Sequence, residues 1–275
     1  MRKRRRRSDM DMTEFLPIEN ENPLDRLPAD GGFTSIFRTI ACVGDSLSSG
    51  EFEGLDEEGK KSFHDMFEYS WGQFMARAAG IKVHNFSRGG MTAKAYMQSF
   101  AEQKGFWNPE LKAQAYILAL GVNDVKPQNA DFLGTVSDIC VDDYTKNADS
   151  FAGYYAQIIQ RYKEIQPNAR FFLMTRPRSG WVEGDAFLEK FRDLLCDIAK
   201  LFDNTYVIDL YTYAPVFDGE FRKNFFLAGH MNPCGYKLIA RMVMAYIDYI
   251  VRYNMQDFKQ IGFMGTPFYN CKEKL

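Results

Sequence analysis

The chain has 275 residues, of which 46% are hydrophobic and 25% are charged, and its formal net charge is −2. This is enough apolar material for a large core, while the near-neutral balance excludes the global basic field of a nucleic-acid-binding protein. No stretch approaches the roughly 18 consecutive apolar residues that a membrane-spanning helix needs. We therefore expect a soluble protein that binds neither nucleic acid nor a membrane; these properties leave the oligomeric state open.

The N-terminal segment is basic at first and polar afterwards. Residues 2–7 are all Arg or Lys, but acidic and polar residues follow them, without the apolar stretch of a secretion signal. A nuclear or nucleic-acid patch is one interpretation, and a solvated chain end is the one we favour. We predict an N-terminal arm over residues 1–33 and one domain over residues 34–275, with a C-terminal tail from about residue 254.

The cysteines indicate a reducing compartment. There are five of them, an odd number, at wide spacings and without a CxxC pair. This pattern favours neither a disulfide framework nor a structural zinc site. We therefore expect a cytoplasmic protein without a metal, and we expect Cys42 and Cys196 to act as small apolar side chains in the core.

Strand and helix patterns alternate along the chain. Apolar runs typical of buried strands occupy residues 37–43, 81–86, 115–120, 169–174 and 205–210. Helical spacing of apolar residues predicts helices over 70–79, 92–100, 151–165, 187–202 and 233–253. The charged segment 51–61 and the polar segment 126–149 are predicted as loops. This alternation predicts a three-layer α/β/α domain with a central five-stranded parallel sheet.

Reactive side chains follow the predicted strands, and ligands bind at the carboxyl ends of such strands. Acyl transfer needs a nucleophile, a base and donors for the oxyanion. Ser46 is the best nucleophile among the serines at this edge, because it leaves a buried strand at a sharp turn between two glycines. Of the three histidines, only His230 follows the last strand and precedes a helix, which makes it the candidate base. The N–H groups of Ser46 and Gly90 and the amide of Asn123 could form the oxyanion hole.

Four short blocks in order carry a resemblance to a known family. They are Gly44-Asp45-Ser46-Leu47, Asn85-Phe86-Ser87-Arg88-Gly89-Gly90, Gly121-Val122-Asn123-Asp124 and His230-Met231-Asn232-Pro233-Cys234-Gly235-Tyr236. The sequence resembles the SGNH hydrolases, also called GDSL-type esterases and lipases. The resemblance implies a flavodoxin-like fold and an ester hydrolase that needs no cofactor. It also implies Ser46 as nucleophile, His230 as base, and Gly90 and Asn123 as oxyanion donors.

One position departs from the family pattern. The last block of the family usually reads D-x-x-H, in which the aspartate orients the histidine, but here Leu227 stands three residues before His230. Three interpretations stay open: a main-chain carbonyl holds the imidazole, another acid substitutes for the aspartate, or the enzyme is slow or inactive. The acids nearest in sequence are Asp209, Asp218 and Glu220.

The expected substrate is a small-molecule ester with a small acyl group, and a carbohydrate is one candidate carrier of that group. Arg178 could bind an acidic or sugar group, and Trp181 could stack on a sugar or cover an acyl chain, although a solvated arginine and a packed tryptophan explain them equally well. Two alternatives remain. The chain is a non-catalytic binding protein on the same fold, or it is an acyltransferase that uses the same residues.

Overall fold

A computed structural model describes residues 12–270, so the basic run at residues 2–7 lies outside the described residues. Five strands form the central sheet. They are β1 (Thr39–Gly44), β4 (Lys82–Ser87), β5 (Ala115–Ala119), β6 (Arg170–Met174) and β7 (Thr205–Ile208). Two short hairpins complete the strand set: β2 (Glu51–Leu55) with β3 (Lys61–Asp65), and β8 (Phe226–Leu227) with β9 (His230–Met231).

The central sheet is parallel and has the order β4-β1-β5-β6-β7. Because the chain adds one strand beside β1 and then reverses direction to add the other three, the loop after β1 lies where the strand order switches. Open α/β sheets bind their ligands at such a point. The predicted fold class is confirmed, and the predicted strands match the observed ones to within about two residues at each end.

The helices cover both faces of this sheet. They are α1 (Ser46–Ser49), α2 (Trp71–Ala79), α3 (Ala93–Ala95), α4 (Ala101–Gln103), α5 (Phe151–Ile165), α6 (Val182–Leu201), α7 (Leu210–Tyr213), α8 (Gly219–Phe225), α9 (Pro233–Tyr253) and α10 (Met255–Phe258). A π-helical turn over Tyr96–Phe100 joins α3 to α4. Further 3-10 turns lie at Gly32–Ile36, Phe67–Tyr69, Pro109–Leu111, Pro127–Leu133, Val136–Asp138, Tyr144–Lys146 and Ile261–Phe263.

Alternate residues of each strand serve the two helix layers. In β5, Tyr116 and Leu118 pack with α5 and α6, whereas Ala115 and Ile117 pack with α2 and α9. All four side chains are fully buried. A strand that is covered on both faces has apolar residues at every position, not only at alternate ones. Its sequence is therefore a continuous apolar run, which is easy to recognise.

Local capping explains where several helices begin and end. Ser70 accepts a hydrogen bond from Gln73 N–H at the start of α2, and Gly80 ends that helix in the left-handed conformation at φ 66°. At α9, Asn232 caps the helix and Pro233 occupies its first turn. The observed bounds of α5 and α9 agree with the predicted ones, while α6 begins at Val182, five residues before its predicted start.

Two segments predicted as loops contain secondary structure. Residues 51–65 form the antiparallel β2–β3 hairpin, so the prediction of a charged loop over 51–61 is wrong. The charged side chains stand on a two-stranded ribbon with one face open to solvent, which permits the polar composition. Residues 126–149 fold into three short 3-10 turns.

The segment before β1 runs along α9. Glu21 lies 2.6 Å from Arg252, which also pairs with Asp248 one turn earlier on the helix. The Ile18 carbonyl accepts a hydrogen bond from Tyr253 Oη. These contacts fasten residues 16–21 to the C-terminal end of α9, where buried charges are stable only when they are paired.

Candidate functional site

Ser46 occupies the first turn after β1, the strand that lies between β4 and β5 in the sheet. Asp45 N-caps the short helix α1 by accepting a hydrogen bond from Leu47 N–H at 3.0 Å, and Gly50 closes it in the left-handed conformation at φ 79°. Ser46 is buried, with 8% of its surface exposed. This turn presents the Ser46 hydroxyl and the first free N–H groups of a helix at the carboxyl end of β1, which is an arrangement suited to an oxyanion.

The two other proposed oxyanion donors lie together beside this turn. Gly90 adopts φ 69°, and no heavy atom lies within 4 Å of where a Cβ would stand. The side-chain amide of Asn123 donates to the carbonyl of Met91, the residue after Gly90, at 3.2 Å. The open space at Gly90 allows a ligand to approach the main chain closely.

His230 is presented by the β8–β9 hairpin, in which Leu227 pairs with His230. Two residues connect the strands, and Ala228 takes up the left-handed conformation at φ 49°. A tight two-residue turn of this kind requires a positive φ. This conformation is higher in free energy for alanine than for glycine, because alanine has a Cβ. The hairpin lies next to α1, so Ser46 and His230 are on adjacent elements.

Two carboxylates of β2 flank the imidazole of His230. Glu51 Oε1 lies 3.1 Å from Nε2, and Glu53 Oε2 lies 3.5 Å from Nδ1. Among the described residues, no hydrogen bond joins Ser46 Oγ to His230, since Nε2 faces Glu51 in this conformation. Desolvation raises the pKa of Glu51, and the proximity of His230 opposes that rise. The ion pair with Lys61 and the Gly229 N–H lower the pKa of Glu53.

Two further carboxyl groups are buried in the same loops. Burial raises the pKa of Asp45 to about 7, although the Leu47 N–H and the charge of Arg176 act against the rise. Burial also raises the pKa of Asp124 to about 6, and Asp124 accepts the Ala93 N–H at 2.7 Å. Through these main-chain hydrogen bonds, Asp45 and Asp124 brace the site loops.

A largely apolar cavity of about 450 Å³ opens beside these residues. It is lined by neighbours of both candidate residues: Asp45, Leu47 and Ser48 on the Ser46 side, and Gly229 and Met231 on the His230 side. Its far wall comes from the carboxyl ends of β5 and β6 and from the start of α6. Pockets of this size hold small organic ligands.

The two predicted substrate-binding residues occupy different surroundings. Trp181 is half exposed and lines the cavity. Arg178 is not among the lining residues; its guanidinium lies over the ring of Tyr211, and its carbonyl accepts the Phe217 N–H. Instead Arg176 lines the cavity, where burial lowers its pKa and the charge of Asp45 opposes the fall.

The structure adds Glu51 and Glu53 to the site, which sequence reasoning missed. The alternation of charged and apolar residues in Glu51-Phe52-Glu53 is typical of a strand with one face toward solvent. That pattern could have predicted a hairpin with both carboxylates on the same face. It could not have predicted that this face meets His230, 177 residues later in the chain.

Metal-binding and membrane-spanning features were searched in residues 12–270. Within that part of the chain, no group of three or more His, Cys, Asp or Glu side chains has the arrangement of a metal site. No helix in the same range combines the length and the apolar character needed to cross a bilayer.

Comparison with known proteins agrees with this architecture. The profile of the GDSL-like Lipase/Acylhydrolase family matches residues 42–238. Comparison with curated proteins gave no match. A protein from Lactobacillus plantarum has a similar structure, with a TM-score of 0.57 and 16% identity, over 77% of this chain and 97% of that one. A family two carbohydrate esterase from Clostridium thermocellum, solved with cellohexaose, gives a TM-score of 0.55 at 16% identity, over 80% of this chain and 65% of that one. At 16% identity, these structural similarities are evidence for the fold alone.

Proposed function

The chain belongs to the GDSL-like lipase/acylhydrolase family, and from that premise we propose that it hydrolyses carboxylic esters through an acyl-serine intermediate on Ser46. The observation that carries the proposal is the convergence of four loops at one edge of the sheet. They bring Ser46, Gly90, Asn123 and His230 to the point where the strand order switches.

In the proposed first step, His230 Nε2 takes the proton of Ser46 Oγ while Oγ bonds to the ester carbonyl carbon. The carbonyl oxygen gains the negative charge and receives hydrogen bonds from Ser46 N–H, Gly90 N–H and the Asn123 amide. Collapse of this intermediate breaks the ester bond, and the imidazolium gives its proton to the leaving alcohol. Water then repeats the sequence on the acyl-serine, which releases the acid and restores Ser46.

The first step requires that Nε2 leave Glu51 and turn toward Ser46, because the structure places Nε2 3.1 Å from Glu51 Oε1. Catalytic hydrogen bonds are often incomplete without substrate and form in the complex. The contact between Glu51 and Nε2 is the observation that favours the alternative of a non-catalytic binding protein.

The cavity supports an apolar acyl group as the part of the substrate that is buried. Its lining flanks both Ser46 and His230, and it has room for an acyl group longer than acetyl. Carbohydrates that carry a small acyl group, the substrates expected from the sequence, are the first set to test. Esters with longer acyl chains, for which the cavity has room, are the second set. Trp181 at the cavity wall would contact either kind of substrate.

The test is hydrolysis of p-nitrophenyl esters from acetate to octanoate by wild type, Ser46→Ala and His230→Ala, at folding matched by circular dichroism. Both variants should lose at least about a hundredfold in kcat/KM. Ser87→Ala and His64→Ala are the matched controls. Ser87 Oγ donates to the Cys42 carbonyl, and His64 lies exposed on β3.

A fluorophosphonate probe separates the alternatives. Wild type should be labelled on Ser46, and Ser46→Ala should not be labelled. A wild-type protein that neither turns over esters nor reacts with the probe would refute the hydrolase and favour the binding protein. Faster capture of the acyl group by an added alcohol or sugar than by water would favour the acyltransferase.

A further inference from the structure

His230 lacks the acid that its family motif supplies. Leu227 stands at that position, and its side chain is 45% exposed. The three acids nearest in sequence are occupied elsewhere: Asp209 caps α7 and pairs with Arg192, Asp218 caps α8, and Glu220 pairs with Lys223. None of these three has a contact with His230 among its hydrogen bonds and ion pairs, so an acid that replaces the aspartate has to come from another part of the chain.

Glu53 has the surroundings that such a partner needs. Its side chain is almost fully buried, with 4% exposed, and Oε2 lies 3.5 Å from His230 Nδ1. The same oxygen accepts the N–H of Gly229, the residue before His230, at 2.8 Å. A Cβ at Gly229 would lie only 2.7 Å from it, so the glycine permits this approach. The other oxygen, Oε1, lies 2.5 Å from Lys61 Nζ on the opposite strand of the hairpin.

We propose that Glu53 is the positioning acid of His230 and replaces the aspartate of the D-x-x-H motif from the β2–β3 hairpin. This inference rests on the proposed function. The carboxylate accepts a hydrogen bond from Nδ1–H, which keeps the proton on Nδ1 and leaves Nε2 free to act as the base. It also stabilises the imidazolium that forms when Nε2 takes the Ser46 proton. Lys61 and the Gly229 N–H keep Glu53 ionised, in agreement with its lowered pKa.

Glu51 cannot fill the same role. Its carboxylate contacts Nε2, the nitrogen that must face Ser46 during the reaction. Glu51 Oε2 also lies 2.1 Å from where a Cβ of Gly89 would stand, so this carboxylate packs against the loop that carries Gly90. Glu51 therefore occupies the space between the base and the oxyanion donors, whereas Glu53 lies behind the imidazole.

The distance between Glu53 and Nδ1 is at the outer limit of a hydrogen bond. Release of Nε2 from Glu51 frees the ring to move toward Glu53 and shorten this contact. Among the described residues, Glu51 and Glu53 on β2 are the charged groups that contact the imidazole. Around them, Lys61 pairs with Glu53, Asp65 lies opposite Glu51 in the hairpin, and Arg222 of α8 donates to the Ala228 carbonyl. Of these charged groups, Glu53→Gln changes Glu53 alone.

The test compares wild type with Glu53→Gln, Glu53→Asp and the control Glu57→Gln, which changes an exposed acid in the turn of the same hairpin. In Glu53→Gln, kcat for p-nitrophenyl acetate should fall by a factor of about 10² to 10⁴, the range set by the loss of a triad acid. KM should stay within about threefold, and the acid limb of kcat/KM should move to lower pH. Glu53→Asp should restore part of kcat, and Glu57→Gln should match wild type.

A second readout does not depend on turnover. The imidazole signal of His230, assigned by its loss in His230→Ala, is followed by NMR from pH 4 to pH 9. In Glu53→Gln its midpoint should lie at lower pH than in wild type, because the imidazolium loses an anionic neighbour. An inactive wild type would refute the proposed function. The NMR titration would then still test whether Glu53 interacts with the imidazole of His230.

Two results would overturn the role of Glu53. The first is an unchanged kcat and an unchanged His230 titration in Glu53→Gln. The second concerns Glu51→Gln, measured as a further variant beside the other three: a loss of kcat in Glu51→Gln that is absent in Glu53→Gln would make Glu51 the functional acid. A purely structural role for Glu53 would lower the melting temperature and leave the pH profile and the titration midpoint unchanged.

Discussion

Replacement of Asp45 by asparagine should remove a specific part of the pH dependence of folding stability. Asp45 is 2% exposed, and its pKa is raised by burial to about 7 from an ordinary value of 3.8. The folded protein therefore holds the proton more tightly than the unfolded chain. The stabilisation that this carboxyl contributes is complete below about pH 4 and is lost as the pH rises through 7.

The size of the effect follows from the same shift. One pH unit between the two pKa values corresponds to about 1.4 kcal/mol, so the contribution of Asp45 should fall by about 3 kcal/mol from pH 5 to pH 8. Asparagine has nearly the same shape and can still accept the Leu47 N–H as a helix cap. Asp45→Asn therefore removes the titrating carboxyl group and keeps the turn at the start of α1.

The assay is urea unfolding of wild type and Asp45→Asn at pH 5 and pH 8. The free energy of unfolding of wild type, relative to that of the variant, should be about 3 kcal/mol larger at pH 5 than at pH 8. Titrating groups that do not interact with Asp45 are present in both chains, so their contributions cancel in this difference. Asp218→Asn is the control, because Asp218 also caps a helix but is exposed. A difference between wild type and Asp45→Asn that is the same at both pH values would refute the reasoning.

Three other variants test the site and the core. Asn123→Ala should lower kcat on p-nitrophenyl acetate by a factor of about 10² to 10³, the loss typical of one oxyanion donor, and an unchanged kcat would exclude the amide from that role. Phe171→Ala empties a fully buried position in the sheet and should cost about 3 to 5 kcal/mol in urea unfolding; a loss below 1 kcal/mol would contradict that packing. Gly121→Ala adds a methyl group 2.5 Å from the Phe191 ring at a φ of 126° and should lower the melting temperature measured by circular dichroism, whereas a wild-type melting temperature would show that this loop can relax.

The sheet and most of the helices can be predicted from the order of residues in the chain. Strands such as β5 are buried on both faces, so their composition alone distinguishes them from the rest of the chain. Capping residues such as Ser70 and Asn232 mark helix ends through bonds to main-chain atoms three residues away. The candidate residues Ser46 and His230 were identified for a related reason, since the carboxyl ends of parallel strands always meet at one edge.

The surroundings of His230, in contrast, become visible only in the folded protein. A half-exposed two-stranded ribbon such as β2–β3 has no continuous apolar run, and its charged residues look like a solvated loop in the sequence. Which face of the ribbon meets the β8–β9 hairpin depends on contacts across 177 residues of chain, and no local pattern encodes them. The same holds for the cavity, where Arg176 lines the wall and Arg178 does not. The direction of a side chain on a loop is set by the packing of the elements around it, and that packing exists only in the folded protein.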